Sequence, residues 1–226
     1  MSEITLAALL WVGTHLGLSS TVLRDKLVNI TGAQGFLGLY SIVAAASLGY
    51  LIYIYTIVGR YDYFWLPNPD LFWVSKLLMP IAFILMLGGF MVKNPTMVGA
   101  TLEADEAESI ATGVTRITRH PFQWGVVLWA GSHMVANGDW VSWVFFGSFA
   151  LISSLGCVLM DRKKANTMGD GWQTYANVTS NVPFAAILSG RNRLVLKELV
   201  LPIVVGSAVY ALVYYFHEAM TGTVVI

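Results

Sequence analysis

Few residues in this sequence could do chemistry. There are four histidines, His15, His120, His133 and His217, and a single cysteine, Cys157, in an apolar run. His15 lies 11 residues beyond Ile4 in one apolar stretch, and His133 lies three residues before Ala136 near the end of another. At 1.5 Å per helical residue, His15 is about 16 Å and His133 about 5 Å from the outer end of its stretch, a height difference of about 11 Å. His120 falls at one edge of the apolar layer and His217 at the other. An ionisable side chain inside a membrane is a functional-site hypothesis by default. Two imidazoles on different helices are the donor set for bis-imidazole ligation of a haem. The alternative is an interhelical hydrogen bond from each. There is no CxxCH for covalent haem attachment and no HExxH zinc pattern.

A second group is Arg116, Arg119 and His120, followed by Pro121 at a helix start. Arg116 and Arg119 are three apart and share a helical face. They anchor a helix end at the membrane surface, or they hold an anionic group such as a haem propionate, a lipid phosphate or a cofactor carboxylate. A third is the segment Thr179–Ile187, which follows Trp172 and Tyr175 and is too short to span. It reads as an interfacial or re-entrant segment, or as a lid over a cytoplasmic cavity. Glu103, Asp105, Glu106 and Glu108 form an acidic cluster in a solvated loop. Gly13 and Gly17 read as a small-xxx-small pair for close helix packing.

The elements that must position these groups follow from composition. The 226 residues are 56% hydrophobic and only 12% charged, against about 25% charged for a soluble domain. That excludes disorder and disfavours a soluble enzyme. Lys+Arg 13 against Asp+Glu 13 leaves no basic excess for a nucleic-acid partner. The expected fold is all-α, a polytopic transmembrane helix bundle of about six spans in a single domain over residues 1–226. The spans are 4–20, 36–58, 71–92, 121–136, 140–160 and 197–216, of which the first, fourth and sixth are on the short side of the ~20 apolar residues a bilayer needs. Asn137-Gly138-Asp139 makes a tight turn between the fourth and fifth.

With six spans, Arg24, Lys26, Lys93, Arg116, Arg119, Arg162, Lys163, Lys164, Arg191, Arg193 and Lys197 share one side. Arg60 stands alone on the other, and Lys76 lies within the third span. The positive-inside rule makes the first side cytoplasmic and puts both termini on the non-cytoplasmic side. No basic n-region or transit-peptide pattern opens the sequence, so the expected location is a bacterial inner (cytoplasmic) membrane, with the lipid bilayer as partner.

Three stretches carry a family resemblance: THLGLSSTVLRDKL, VTRITRHPFQWGVVLWAGSHMVANGDW and WQTYANVTSNVPFAAILSGRN. Together they resemble the NnrU family, which includes the 15-cis-zeta-carotene isomerases, over about residues 9–220. The resemblance implies haem b held by His15 and His133, with the RHP histidine matching His120. It also implies either cis–trans isomerisation of a lipophilic polyene at reduced haem or, in the bacterial branch, an association with denitrification (nitrite and nitric oxide metabolism). The RHP motif and a late aromatic segment also resemble isoprenylcysteine and phospholipid methyltransferases, which use S-adenosylmethionine. Those enzymes carry a paired-Glu motif where this sequence reads Asp161-Arg162-Lys163-Lys164.

Overall fold

Long apolar runs, closed by Pro, Asn, Asp or Gly, become helices here, one of them with Lys76 inside it. The computed structural model describes residues 2–20, 22–97, 100–102 and 106–222. Its helices are α1 (Ser2–Ser20), α2 (Val22–Ile57), α3 (Pro69–Gly88), α4 (Pro121–Asn137), α5 (Trp140–Val178), α6 (Ala185–Leu188) and α7 (Leu196–Thr221), with a 3-10 turn at Gly113–Arg116 before α4. Each expected span coincides with a helix. Among the described residues, Leu23–Ile57, Pro69–Gly88, Trp140–Val178 and Leu196–Thr221 are long and apolar enough to cross a membrane. α1 and α4, at 19 and 17 residues, rise about 29 and 26 Å. Glu103 and Asp105 of the acidic cluster lie outside the described residues; Glu106 forms an ion pair with Lys93.

Two expectations about loops are corrected. Residues 22–35 are helical, with a break at Gly32 (φ 73°), and α5 continues to Val178 through a break at Gly169 (φ 53°). Hydropathy reports only the part of a helix that can lie in lipid, whereas backbone hydrogen bonding continues into polar residues until something stops it. The α4–α5 turn forms as expected. Gly138 is left-handed (φ 67°), and a Cβ there would stand 2.2 Å from the Trp65 carbonyl oxygen, so only glycine is accommodated. Asp139 then caps α5, accepting from the Ser142 N–H at 2.8 Å. The Phe64 N–H donates to the Gly138 carbonyl and the Trp140 N–H to the Asp62 carbonyl, pinning the 62–65 loop to this turn.

The helices pack in the order α2, α1, α5, α4, α3, α7. The main core joins Ile4, Ala7 and Trp11 of α1 to Leu51 and Ile54 of α2, Ala130 of α4, and Phe145 and Phe146 of α5. Outward faces stay apolar: Ile42, Leu77, Leu201 and Tyr215 are all exposed, as lipid contact requires. The close approaches are not where the small-xxx-small pair predicted. A Cβ on Gly13 or Gly17 would meet open space among the described residues. On Gly125 of α4 it would stand 2.7 Å from the Ala82 carbonyl oxygen of α3, and on Gly206 of α7 it would stand 2.7 Å from Ile84 Cα of α3.

Candidate functional site

The α5 residues Phe146 and Phe149, one helical turn apart, are the floor of an aromatic seam between α1 and α4. Phe149 touches Trp11 of α1 (ring centroids 5.8 Å) and Trp129 of α4 (5.3 Å). His15 lies 4.7 Å from Trp11, and His133 lies 5.4 Å from Trp129 and stacks on Phe146 at 4.7 Å. Each histidine is four residues from its tryptophan, which puts it on the same helix face. The His133 Nδ1–H donates to the Trp129 carbonyl at 2.7 Å. That fixes the tautomer and leaves the Nε2 lone pair free, the arrangement a metal-ligating imidazole needs. His15 faces α2, with Tyr40 Oη 3.2 Å from both ring nitrogens.

These two imidazoles suit a haem in kind: half-buried and flanked by aromatic rings. Their heights differ. α1 and α4 run in opposite directions, so from the shared Phe149 level His15 lies one turn towards one end and His133 one turn towards the other. The separation along the bundle is about 10 Å, against the ~4 Å that two ~2 Å metal–nitrogen bonds on one iron allow. In this arrangement Trp11, Phe149 and Trp129 link the two rings, and only the His133 tautomer is set by a backbone carbonyl. Among the described residues no group of three His, Cys, Asp or Glu side chains converges as a metal site.

The RHP residues form a separate network at the other end of α5. Arg119 donates to both carboxylate oxygens of Asp161, from Nε at 2.9 Å and Nη2 at 2.6 Å. The His120 Nε2–H donates to Asp161 Oδ1 at 2.6 Å. Although placed by sequence at the membrane edge, His120 is fully buried, and its enclosed Nδ1 has no hydrogen-bond partner among the described residues. Burial holds the His120 imidazole below its usual pKa of 6.5, outweighing the pull of Asp161; Arg119 adds to the lowering. Arg116 binds Glu198 of α7 through Nε (2.7 Å) and Nη2 (3.0 Å) and reaches Asn192 through Nη1 (2.8 Å).

The Thr179–Ile187 segment is the strap over this network. The Arg119 N–H donates to the Ser180 carbonyl and the Phe184 N–H to the Ile117 carbonyl, at 2.9 and 2.7 Å. Thr118 Oγ1 and Trp124 Nε1 both donate to the Asn181 carbonyl, at 2.6 and 2.8 Å.

Arg116, Arg119 and His120 therefore stand together, while His15 and His133 stand apart from them, towards the other end of α5. Sequence reading missed Asp161 and Glu198, the carboxylates that take both guanidinium groups. The available signal was an acid at the start of a basic run, Asp161-Arg162-Lys163-Lys164, and Glu198 beside Lys197. In this arrangement Asp161 takes both Arg119 and His120, the groups the methyltransferase resemblance would assign to an anion.

Comparison with known proteins adds identity to this geometry. The chain is 29% identical over 227 residues to "15-cis-zeta-carotene isomerase, chloroplastic" of Arabidopsis thaliana, covering 95% of this chain and 59% of the relative. It is 28% identical over 193 residues to the protein of the same name from Zea mays, covering 84% of this chain and 51% of the relative. The chain thus spans a little over half the length of these relatives. No solved structure matches it. The NnrU protein family profile matches residues 3–225, and the chain belongs to the NnrU family.

Proposed function

We propose that this protein is a six-span membrane protein that holds haem b and isomerises a double bond of a lipophilic polyene. The observation that carries the reading is the aromatic seam, with the His133 tautomer set by the Trp129 carbonyl and Nε2 left free. The names of the relatives supply the reaction class. Sidedness is supported by the way polar segments gather at the two ends. The 62–65 loop meets the 138–140 turn at one end, and Arg116, Arg119, Asp161 and Glu198 meet at the other. The proposed membrane is the bacterial inner membrane, with the basic end cytoplasmic.

His133 would hold the iron through its Nε2, and His15 is the second candidate ligand, standing about 10 Å away along the bundle in this arrangement. Bound ferrous haem would supply electron density that lowers the rotation barrier of a conjugated double bond. The residues of this chain do the rest. Trp11, Trp129, Phe146 and Phe149 line the seam and exclude water from it, and His133 keeps its proton on Nδ1. Arg116 and Arg119 reach an anionic group of the cofactor only by exchanging Glu198 or Asp161 for it.

The test is the visible spectrum of the detergent-purified protein, oxidised and dithionite-reduced, with turnover of 15-cis-zeta-carotene followed by chromatography. A Soret band with sharp reduced bands and isomer conversion, both abolished in His133→Ala, is the expected result. Loss of the low-spin spectrum in His15→Ala as well means two imidazoles share the iron. A protein that stays colourless after incubation with haemin refutes the haem reading. Nitric oxide-dependent spectra without turnover would move the function to gas binding beside denitrification enzymes.

A further inference from the structure

We propose that a basic cleft at the cytoplasmic end of α5 binds the phosphate of an anionic phospholipid. Residues Met160, Lys163, Lys164, Thr167 and Met168 recur at intervals of three and four and form one face of α5. With Arg24 of α2 and with Met97, Ala100, Thr101 and Leu102 they line a cleft of about 530 Å³, within the range of small-molecule sites. This cleft is separate from the histidine seam and from the Asp161 network, and the proposed function makes no use of it.

Among the described residues the lining itself carries cations and no carboxylate, and the exposed Asp25 stands at its edge beside Arg24 and Lys163. Lys164 is buried, and its ammonium donates to the carbonyls of Met97 (3.3 Å) and Ala100 (3.2 Å). An ammonium has three N–H donors, so one remains for a ligand. No carboxylate among the described residues forms an ion pair with Lys163 or Lys164, and the exposed Asp25 meets Arg24 at 3.3 Å. The remaining lining is apolar: Met97, Leu102, Met160 and Met168. Three cations beside methionines suit a headgroup phosphate with the first methylenes of its chains, rather than a fully hydrated soluble anion. The position agrees. The apolar run of α5 ends at Met160 and its basic run begins at Arg162, so the cleft lies where a phospholipid headgroup would lie. Basic pockets between transmembrane helices on the cytoplasmic side recognise anionic headgroups in this way.

The experiment uses the full chain in nanodiscs of phosphatidylcholine with a minor fraction of phosphatidylglycerol. Retained lipid is counted by native mass spectrometry after release into detergent. The variant is Arg24→Gln/Lys163→Gln, which leaves the structural Lys164 in place. The control, Arg193→Gln/Lys197→Gln, removes the same charge from exposed positions outside the cleft. Each basic residue near an anionic surface is worth about a fivefold change in affinity. The cleft variant should therefore retain phosphatidylglycerol about 30-fold less tightly, with the control and phosphatidylcholine retention unchanged. In wild type the preference for phosphatidylglycerol should also fall in high salt, a readout independent of variant folding. Equal retention by wild type and the cleft variant overturns the proposal. So does an equal loss in the control, which would mean diffuse surface charge. Displacement of the lipid by millimolar inorganic phosphate overturns the lipid assignment in favour of a soluble phosphate.

Discussion

Replacing Asp161 with asparagine tests whether the RHP residues serve structure. The carboxylate accepts from Arg119 Nε, Arg119 Nη2 and His120 Nε2–H at 2.9, 2.6 and 2.6 Å. An amide keeps one oxygen acceptor and turns an NH₂ donor towards a guanidinium or an imidazole N–H. Breaking a buried pair by removing one partner costs about 3–5 kcal/mol. The side chains of Arg119 and Asp161 are 14% and 20% exposed, so water recovers part of that, and about 3 kcal/mol remains. For a chain of this length that lowers the melting temperature by about 6–12 °C. The assay is intrinsic tryptophan fluorescence during heating in detergent. Arg119→Met/Asp161→Leu should lose less than the two single changes together, because no lone charge is left behind. A melting temperature for Asp161→Asn within 2 °C of wild type would refute the reasoning and free Arg119 for a ligand.

Other expectations concern pH, packing and the second ion pair. Native His120 resists protonation, while the unfolded chain takes up a proton near pH 6.5. The stability it contributes is therefore present above 6.5 and lost as pH falls from there towards the lower native value, by at most about 1.4 kcal/mol per pH unit. Melting curves from pH 8 to 5 should show this slope, and His120→Gln should flatten it. Gly206→Ala should cost about 1–3 kcal/mol through overpacking against Ile84, whereas Gly13→Ala, facing open space on an exposed helix face, should stabilise by up to ~1 kcal/mol; parallel melts of the two separate close packing from mere helix propensity. Glu198→Gln should loosen the start of α7, read as faster amide exchange at residues 196–200 while α4 and α5 exchange as before.

Much of this protein is local and so legible in sequence. Hydropathy and length marked the apolar part of every long helix, Pro121 the start of α4, and Gly138 with Asp139 the hairpin turn, because each depends on residues close together in the chain. The RHP and PFAAI segments marked the family, and their residues do come together. What the sequence left open depends on contacts between helices far apart along the chain. Arg119 meets Asp161 across 42 residues and Arg116 meets Glu198 across 82. Neither partner announces itself, since a carboxylate near a basic run is equally at home in solvent. The small-xxx-small pair on α1 predicted a packing face, but the tight approaches fell at Gly125 and Gly206, because which faces meet is fixed by the docking order of the helices. The height of His15 relative to His133 was legible in outline, since helix rise alone put them about 11 Å apart. What packs between them was not: the shared contact of Trp11 and Trp129 with Phe149 is tertiary, because a bundle's lateral neighbours are set by interdigitating side chains.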